Sequence, residues 1–142
     1  PFDRRLAALA AAACLSAALF AATSARAADL DLAGTDWRVA AIDDFGLPVG
    51  VEASLSFDAE GGIAGDSGCN RVIGSYEQSG STLTVGPTGT TMMACPEPAM
   101  ETQQRYVAAL EATRSFRTEG ARLMLLDADG TPVMTLVRDD GA

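Results

Sequence analysis

The sequence predicts an α+β fold: a small curled antiparallel β-sheet, half-barrel-like, of about seven or eight strands packed against one helix. Three observations predict it. Short runs of alternating apolar and polar residues recur along the chain, separated by Gly-, Asp- and Ser-rich turns. One segment alone, Glu97–Thr113, carries apolar side chains at helical spacing. No repeat of longer period and no low-complexity tract follows residue 28.

The elements follow in order. Residues 29–36 are small and polar and read as a lead-in. Trp37–Ala41 alternates as a half-buried strand, and residues 43–53, with Gly46, Pro48 and Gly50, read as a loop. Leu55–Phe57 and Ile63–Gly65 flank the turn cluster at 58–62, which makes a hairpin. Val72–Tyr76 and Leu83–Val85 make a second hairpin around 77–81, and Gly74 within it suits a bulge or a close backbone approach. Residues 86–96 form a Gly/Pro/Thr-rich connection.

The helix comes next. Met100, Val107 and Leu110 set its stripe, with Ala99 and Tyr106 alongside, and Gln103 interrupts it. Pro96 and Pro98 fall in the first turn, where a missing N–H costs little. Glu97 and Glu101 suit the positive end of the helix dipole and Arg114 the negative end. Strands at 115–118, 122–126 and 132–137 complete the chain, with turns at 119–120 and 127–130.

The domain boundaries come from the first residues. Arg4 and Arg5 precede an apolar run, Leu6 to Ala22, which is followed by Ala25-Arg26-Ala27. That is the layout of a secretory signal peptide over 1–27, leaving one domain over 28–142. An uncleaved anchor is the rival reading, since the run reaches the lower edge of spanning length. Cys14 lacks a Leu three positions upstream, so an outer-membrane lipoprotein is the less favoured destination. The expected location is periplasmic or secreted.

Composition narrows the chemistry. The chain carries 19 Asp and Glu against 10 Lys and Arg, for a net charge of −9. Losing 1–27 removes three arginines but one acid, so the remainder is more acidic still. Such a surface repels phosphate backbones and excludes nucleic acid as a partner, while leaving a basic protein open. There is no His, and every basic residue is Arg. Ser-His-Asp and Cys-His nucleophile systems therefore cannot be assembled. His-dependent zinc sites, Schiff-base lysines and the lysine of a phosphate loop are excluded too. No cofactor or metal is expected, and a monomer is.

Three cysteines are present, and one, Cys14, is expected to leave with the leader. Cys69 and Cys95 remain in a chain addressed to an oxidising compartment, which favours a disulfide. Closing a loop of roughly 27 residues would stabilise the fold by about 3–4 kcal/mol in the chain-entropy model. Two free structural thiols, or a reactive Cys69 activated by Arg71, are the alternatives. With no imidazole and the cysteines spent on a disulfide, the chain is expected to be a non-enzyme, an enzyme working through Asp/Glu pairs being the alternative.

Other residues admit two readings each. Asn70 suits a turn cap bonded to nearby backbone, and Arg71 a partner for a carboxylate; jointly they could form a small anion site. Asp127-Ala-Asp-Gly130 begins like a calcium loop but lacks its third acidic position and distal Glu, so it reads as a hairpin turn. Trp37 is expected in the core. Met92 and Met93 are expected to pack there as well, the alternative being a soft apolar groove.

A family resemblance covers residues 33–137. Gly68-Cys69-Asn70-Arg71, Gly74-Ser75-Tyr76 and Thr91-Met92-Met93-Ala94-Cys95-Pro96 carry it, with Gly34-Thr-Asp-Trp37 as the opening Gly-to-Trp strand. In these motifs the chain resembles the META domain family, whose bacterial members include the heat-shock protein HslJ. The resemblance implies a small, largely antiparallel α+β domain, often exported or tethered as a lipoprotein. It also implies links to stress response, to novobiocin resistance and, in a protozoan relative, to virulence or motility. It brings no catalytic residues. The function expected is a non-enzymatic exported domain that binds or stabilises something in envelope stress. A carrier of a small apolar molecule, held between sheet and helix, and an inhibitor-like module docking on a basic secreted protein are the alternatives.

Overall fold

The computed structural model describes residues 30–139. The expected leader at 1–27, its cleavage site and Cys14 lie outside the described residues. The order is β1 (Thr35–Ile42), β2 (Phe45–Gly46), β3 (Ser54–Phe57), β4 (Gly62–Asp66), β5 (Arg71–Ser79), β6 (Thr82–Val85) and β7 (Gly89–Thr90). Then follow α1 (Ala99–Ala112), β8 (Ser115–Glu119), β9 (Arg122–Leu126) and β10 (Pro132–Arg138). The expected α+β class holds. β2 and β7 are two-residue strands inside segments read from sequence as loop and connection.

All pairings are antiparallel, in the order β1-β3-β4-β5-β6-β8-β9-β10, and β10 pairs back onto β1 to close a ring. Its thinnest seam is β6–β8, joined at Thr82↔Ser115 with backbone bonds from Leu83 N to Arg114 O and Phe116 N to Ser81 O. Closure removes most of the exposed edge that an open sheet would leave for aggregation.

Period-two patterning explains the inward face. In β1, Thr35, Trp37, Val39 and Ile42 point inward, with a register shift between Val39 and Ala41 that accommodates the odd spacing. Trp37 is 2% exposed, its Nε1 donates to Thr35 Oγ1 at 2.8 Å, and the Arg138 guanidinium lies 5.3 Å from its ring centroid. It fills the core as expected. Leu32, inside the segment read as a polar lead-in, is fully buried. Its N–H donates to Gln78 Oε1, while Gln78 Nε2 donates to Leu30 O. That clasp lies in β5, which continues to Ser79, so the second hairpin turns later than the sequence suggested.

Helix α1 contacts β1, β6 and β10. It buries Thr102, Tyr106, Ala109 and Leu110, while Met100 and Val107 are half-buried, so the buried stripe is rotated from the expected one. Pro98 sits just before the first helical residue, and Glu97 Oε2 accepts from Glu101 N at 3.0 Å. At the other end Arg114 Nη1 donates to Glu111 O and Thr113 O, where the dipole favours a cation. The turn at 127–130 is a hairpin: Asp127 Oδ1 accepts from Asp129 N and Thr131 N, and Gly130 has φ +80°.

Candidate functional site

The β4–β5 loop, the 91–96 segment and the first turns of α1 meet at one end of the ring. Asn70 is their junction, and it is 2% exposed. Its Nδ2 donates to Met93 O at 3.0 Å, and its Oδ1 accepts from Met93 N at 2.6 Å and Thr91 Oγ1 at 2.9 Å. Its backbone N–H donates to Gln103 Oε1 at 2.9 Å. Ser67 Oγ, also fully buried, donates to Asn70 O at 2.7 Å and bonds Gln103 Oε1 at 3.0 Å. The carboxamide thus stands where a neighbouring strand would, satisfying both backbone groups of Met93. Asn70 was expected to cap its own turn; its side chain instead reaches partners more than twenty residues away, on the segment that the disulfide also ties down.

That disulfide is Cys69–Cys95, with Cα atoms 5.9 Å apart. It ties the two segments that Asn70 also joins. Gly68 precedes it with φ +98°, in a conformation glycine adopts freely, and a Cβ there would lie 3.0 Å from Thr102 Cγ2 and Val51 Cγ1. Pro96 O accepts from Ala99 N at 3.0 Å, so the residue after the disulfide leads straight into α1. Arg71 is exposed and forms no ion pair among the described residues, contrary to the carboxylate pairing expected of it. Its backbone N–H donates to Thr91 Oγ1, and its carbonyl accepts from Thr91 N.

Further along β5, Gly74 meets the close approach anticipated for it: a Cβ would lie 3.2 Å from Pro87 O. Tyr76 is buried, its ring 4.9 Å from that of Phe57 in an edge-on arrangement, and its hydroxyl donates to Asp58 O at 2.8 Å. Burial raises its pKa, assisted by the Asp31 and Asp58 carboxylates.

Met92 and Met93 depart from expectation. They were expected in the core, yet Met92 is 92% and Met93 60% exposed. The Asn70 carboxamide holds the Met93 backbone at the surface, where no apolar layer lies outside it to receive the side chains.

Two residues escaped the sequence reading. Gln103, taken as a flaw in the helical stripe, supplies the acceptor that anchors Asn70 and Ser67. A polar residue inside an apolar stripe was the available signal. Gly65 allows the Tyr106 hydroxyl to donate to Ser54 O at 2.7 Å; a Cβ there would collide with both oxygens. No sequence signal distinguished it from other strand glycines.

Among the described residues no buried side-chain nitrogen or oxygen lacks a partner, and no three His, Cys, Asp or Glu side chains are grouped to hold a metal. The polar groups of the knot therefore bond one another. The arrangement supplies a rigid platform, with thioethers on its outer side.

The META domain model matches residues 30–140. The chain belongs to the META domain family. This META domain is similar to an NMR structure of a protein from Burkholderia xenovorans, with TM-score 0.62 and 27% identity over 77% of this chain and 84% of that one. A second NMR structure matches with TM-score 0.61 and 20% identity, covering 75% and 91%. The crystal structure of a DUF4847 family protein from Bacteroides vulgatus matches with TM-score 0.58 and 12% identity, covering 76% and 94%. These last two share the fold with this META domain. No curated protein matches it. Gly68–Arg71 and Thr91–Pro96, the segments on which the sequence resemblance rests, are the two strips that Asn70 and the disulfide join.

Proposed function

We propose that this META domain is an exported, non-enzymatic binding domain that acts in envelope stress tolerance from the periplasm or outside the cell. The observation that carries the reading is the use made of the family motif. Cys69 is closed in a disulfide and Asn70 bonds Met93, Thr91, Ser67 and Gln103, so these residues hold a surface segment in place. A disulfide sulfur is no nucleophile, and no imidazole is available to act as a base. What the platform displays is apolar: Met92 and Met93, whose flexible thioethers adapt to partner surfaces.

The interior carrier reading draws no support from the packing. Tyr106 and Leu110 of the helix are fully buried against Leu83, Leu123 and Leu136 of the sheet, in one cluster. A basic protein as partner accords with the chain's charge of −9.

The test is a photoreactive side chain placed at position 92, in cells under envelope stress. A discrete adduct in the periplasmic or secreted fraction, missing when the same group is placed at exposed Arg117, is the expected result. A chain recovered in the cytoplasm with Cys69 and Cys95 as thiols would overturn the reading.

A further inference from the structure

A second exposed apolar surface lies at the same end of α1. Phe45 and Pro48 form one wall of an open groove of about 390 Å³, and Pro98, Thr102 and the stem of Arg105 form the other. Phe45 is 45% exposed, and beyond it Val49 is fully exposed. Large apolar side chains left in water beside a preformed groove are the ordinary signature of a docking surface.

The charge beside its walls selects the occupant. Segments 43–48 and 96–105 carry Asp43, Asp44, Glu97 and Glu101 against one basic residue, Arg105. That arginine is already engaged: its Nη2 lies 3.1 Å from Glu101 Oε1, and its guanidinium sits 4.5 Å from the Phe45 ring centroid. Asp43, Asp44 and Glu97 are exposed and form no ion pair among the described residues. The groove lining is thus largely apolar, its own Glu101 and Arg105 paired with each other, while the exposed residues next to Phe45 and Pro98 in the chain are anionic.

We infer that this groove docks a polypeptide segment in which basic residues alternate with apolar ones, the apolar side chains entering between Phe45 and Pro98 while the cations meet Asp43, Asp44 and Glu97. Charge complementarity argues for this occupant over an anionic or purely apolar one, because the first would be repelled by the neighbouring carboxylates and the second would leave them unpaired. The inference rests on the binding-domain reading and names the partner's chemistry.

The experiment titrates the full exported chain with a short peptide alternating arginine and leucine, followed by backbone amide resonances. Binding should shift the resonances of residues 43–47 and 99–105, weaken as salt rises, and be missing for the matching glutamate–leucine peptide. Phe45→Ala should weaken it about tenfold, with Phe45→Leu retaining part of the affinity. Asp43→Asn with Asp44→Asn should flatten the salt dependence. Thermal unfolding of each variant, matched to the parent, separates lost binding from lost structure. No binding, shifts confined to other surfaces, or an affinity indifferent to Phe45 would each overturn the inference. An adduct from position 92 without binding of the cationic peptide would leave the binding-domain reading standing and reject this partner alone.

Discussion

Asn70 pairs with Met93 as one peptide group pairs with another: Nδ2 to the carbonyl at 3.0 Å, Oδ1 from the N–H at 2.6 Å. A side-chain amide can replace a strand neighbour because it offers the same donor and acceptor. The consequence is a segment ordered by its backbone while its side chains face solvent.

Substitutions at these two residues should therefore diverge. Asn70→Ala leaves two backbone groups of Met93 without their partner and is expected to cost about 2–4 kcal/mol. Met93→Ala keeps the backbone bonds and removes an exposed side chain, so it should change stability by less than about 0.5 kcal/mol. Chemical denaturation of both variants checks the contrast. Equal losses would mean that the methionine side chain, rather than the backbone, holds the segment.

Reduction of Cys69–Cys95 should lower stability by about 3.5 kcal/mol, the chain-entropy value for the loop it closes. The Asn70 hydrogen bonds remain, so unfolding should stay cooperative. Denaturant curves with and without reductant, compared with the double Cys→Ser variant, measure this. Non-reducing mass spectrometry showing free thiols in folded protein would remove its basis.

Gly65→Ala should be more harmful than most glycine substitutions in the sheet. The added methyl runs into Ser54 O and the Tyr106 hydroxyl, and overpacking of this kind costs about 1–3 kcal/mol. Gly46→Ala, where a Cβ would meet nothing within 4 Å, is the control and should be nearly neutral. Thermal unfolding of the pair distinguishes steric conflict from a general preference for glycine.

Tyr106 gives the protein an alkaline limit. Burial, and after it the Asp66 carboxylate, push its phenol well above the ordinary tyrosine range. A pKa raised on folding contributes stability that is complete below the unfolded value of about 10 and is lost as pH rises beyond it. Stability should therefore fall above about pH 10, and Tyr106→Phe should reduce that slope. At neutral pH the same substitution should cost about 1–2 kcal/mol through the lost bond to Ser54 O. Denaturation at neutral and alkaline pH reads both effects. Tyr76, also shifted upward, keeps some alkaline slope in the variant.

Much of the fold was legible because its signals are local. The alternation of Trp37 and Val39, the Asp127–Gly130 turn and the helix at Ala99–Ala112 rest on signals that act over a few residues, and each emerged near its expected place, although the helix buries a rotated face. Strand ends were less so: Gln78 extends β5 because its amide clasps Leu30 and Leu32, far back in the chain. The platform was half legible. Its cysteines and motif residues were picked out, but Gln103 and Gly65 were not. Met92 and Met93 were placed inside when they lie outside, since apolar character does not say whether a layer exists to cover it.

The sequence by itself determined the chemistry this protein lacks and the elements it folds into: no imidazole, no lysine, cysteines at 69 and 95 placed to pair, short alternating strands and one helix. Only the tertiary structure decided that the strands close into a ring, that Asn70 serves Met93, and that the methionines and Phe45 face water. The physical reason is separation along the chain. Propensity and periodicity are properties of neighbouring residues, whereas Asn70 and Met93 stand 23 positions apart and Tyr106 and Ser54 stand 52 apart, so their contacts exist only once the fold has brought them together.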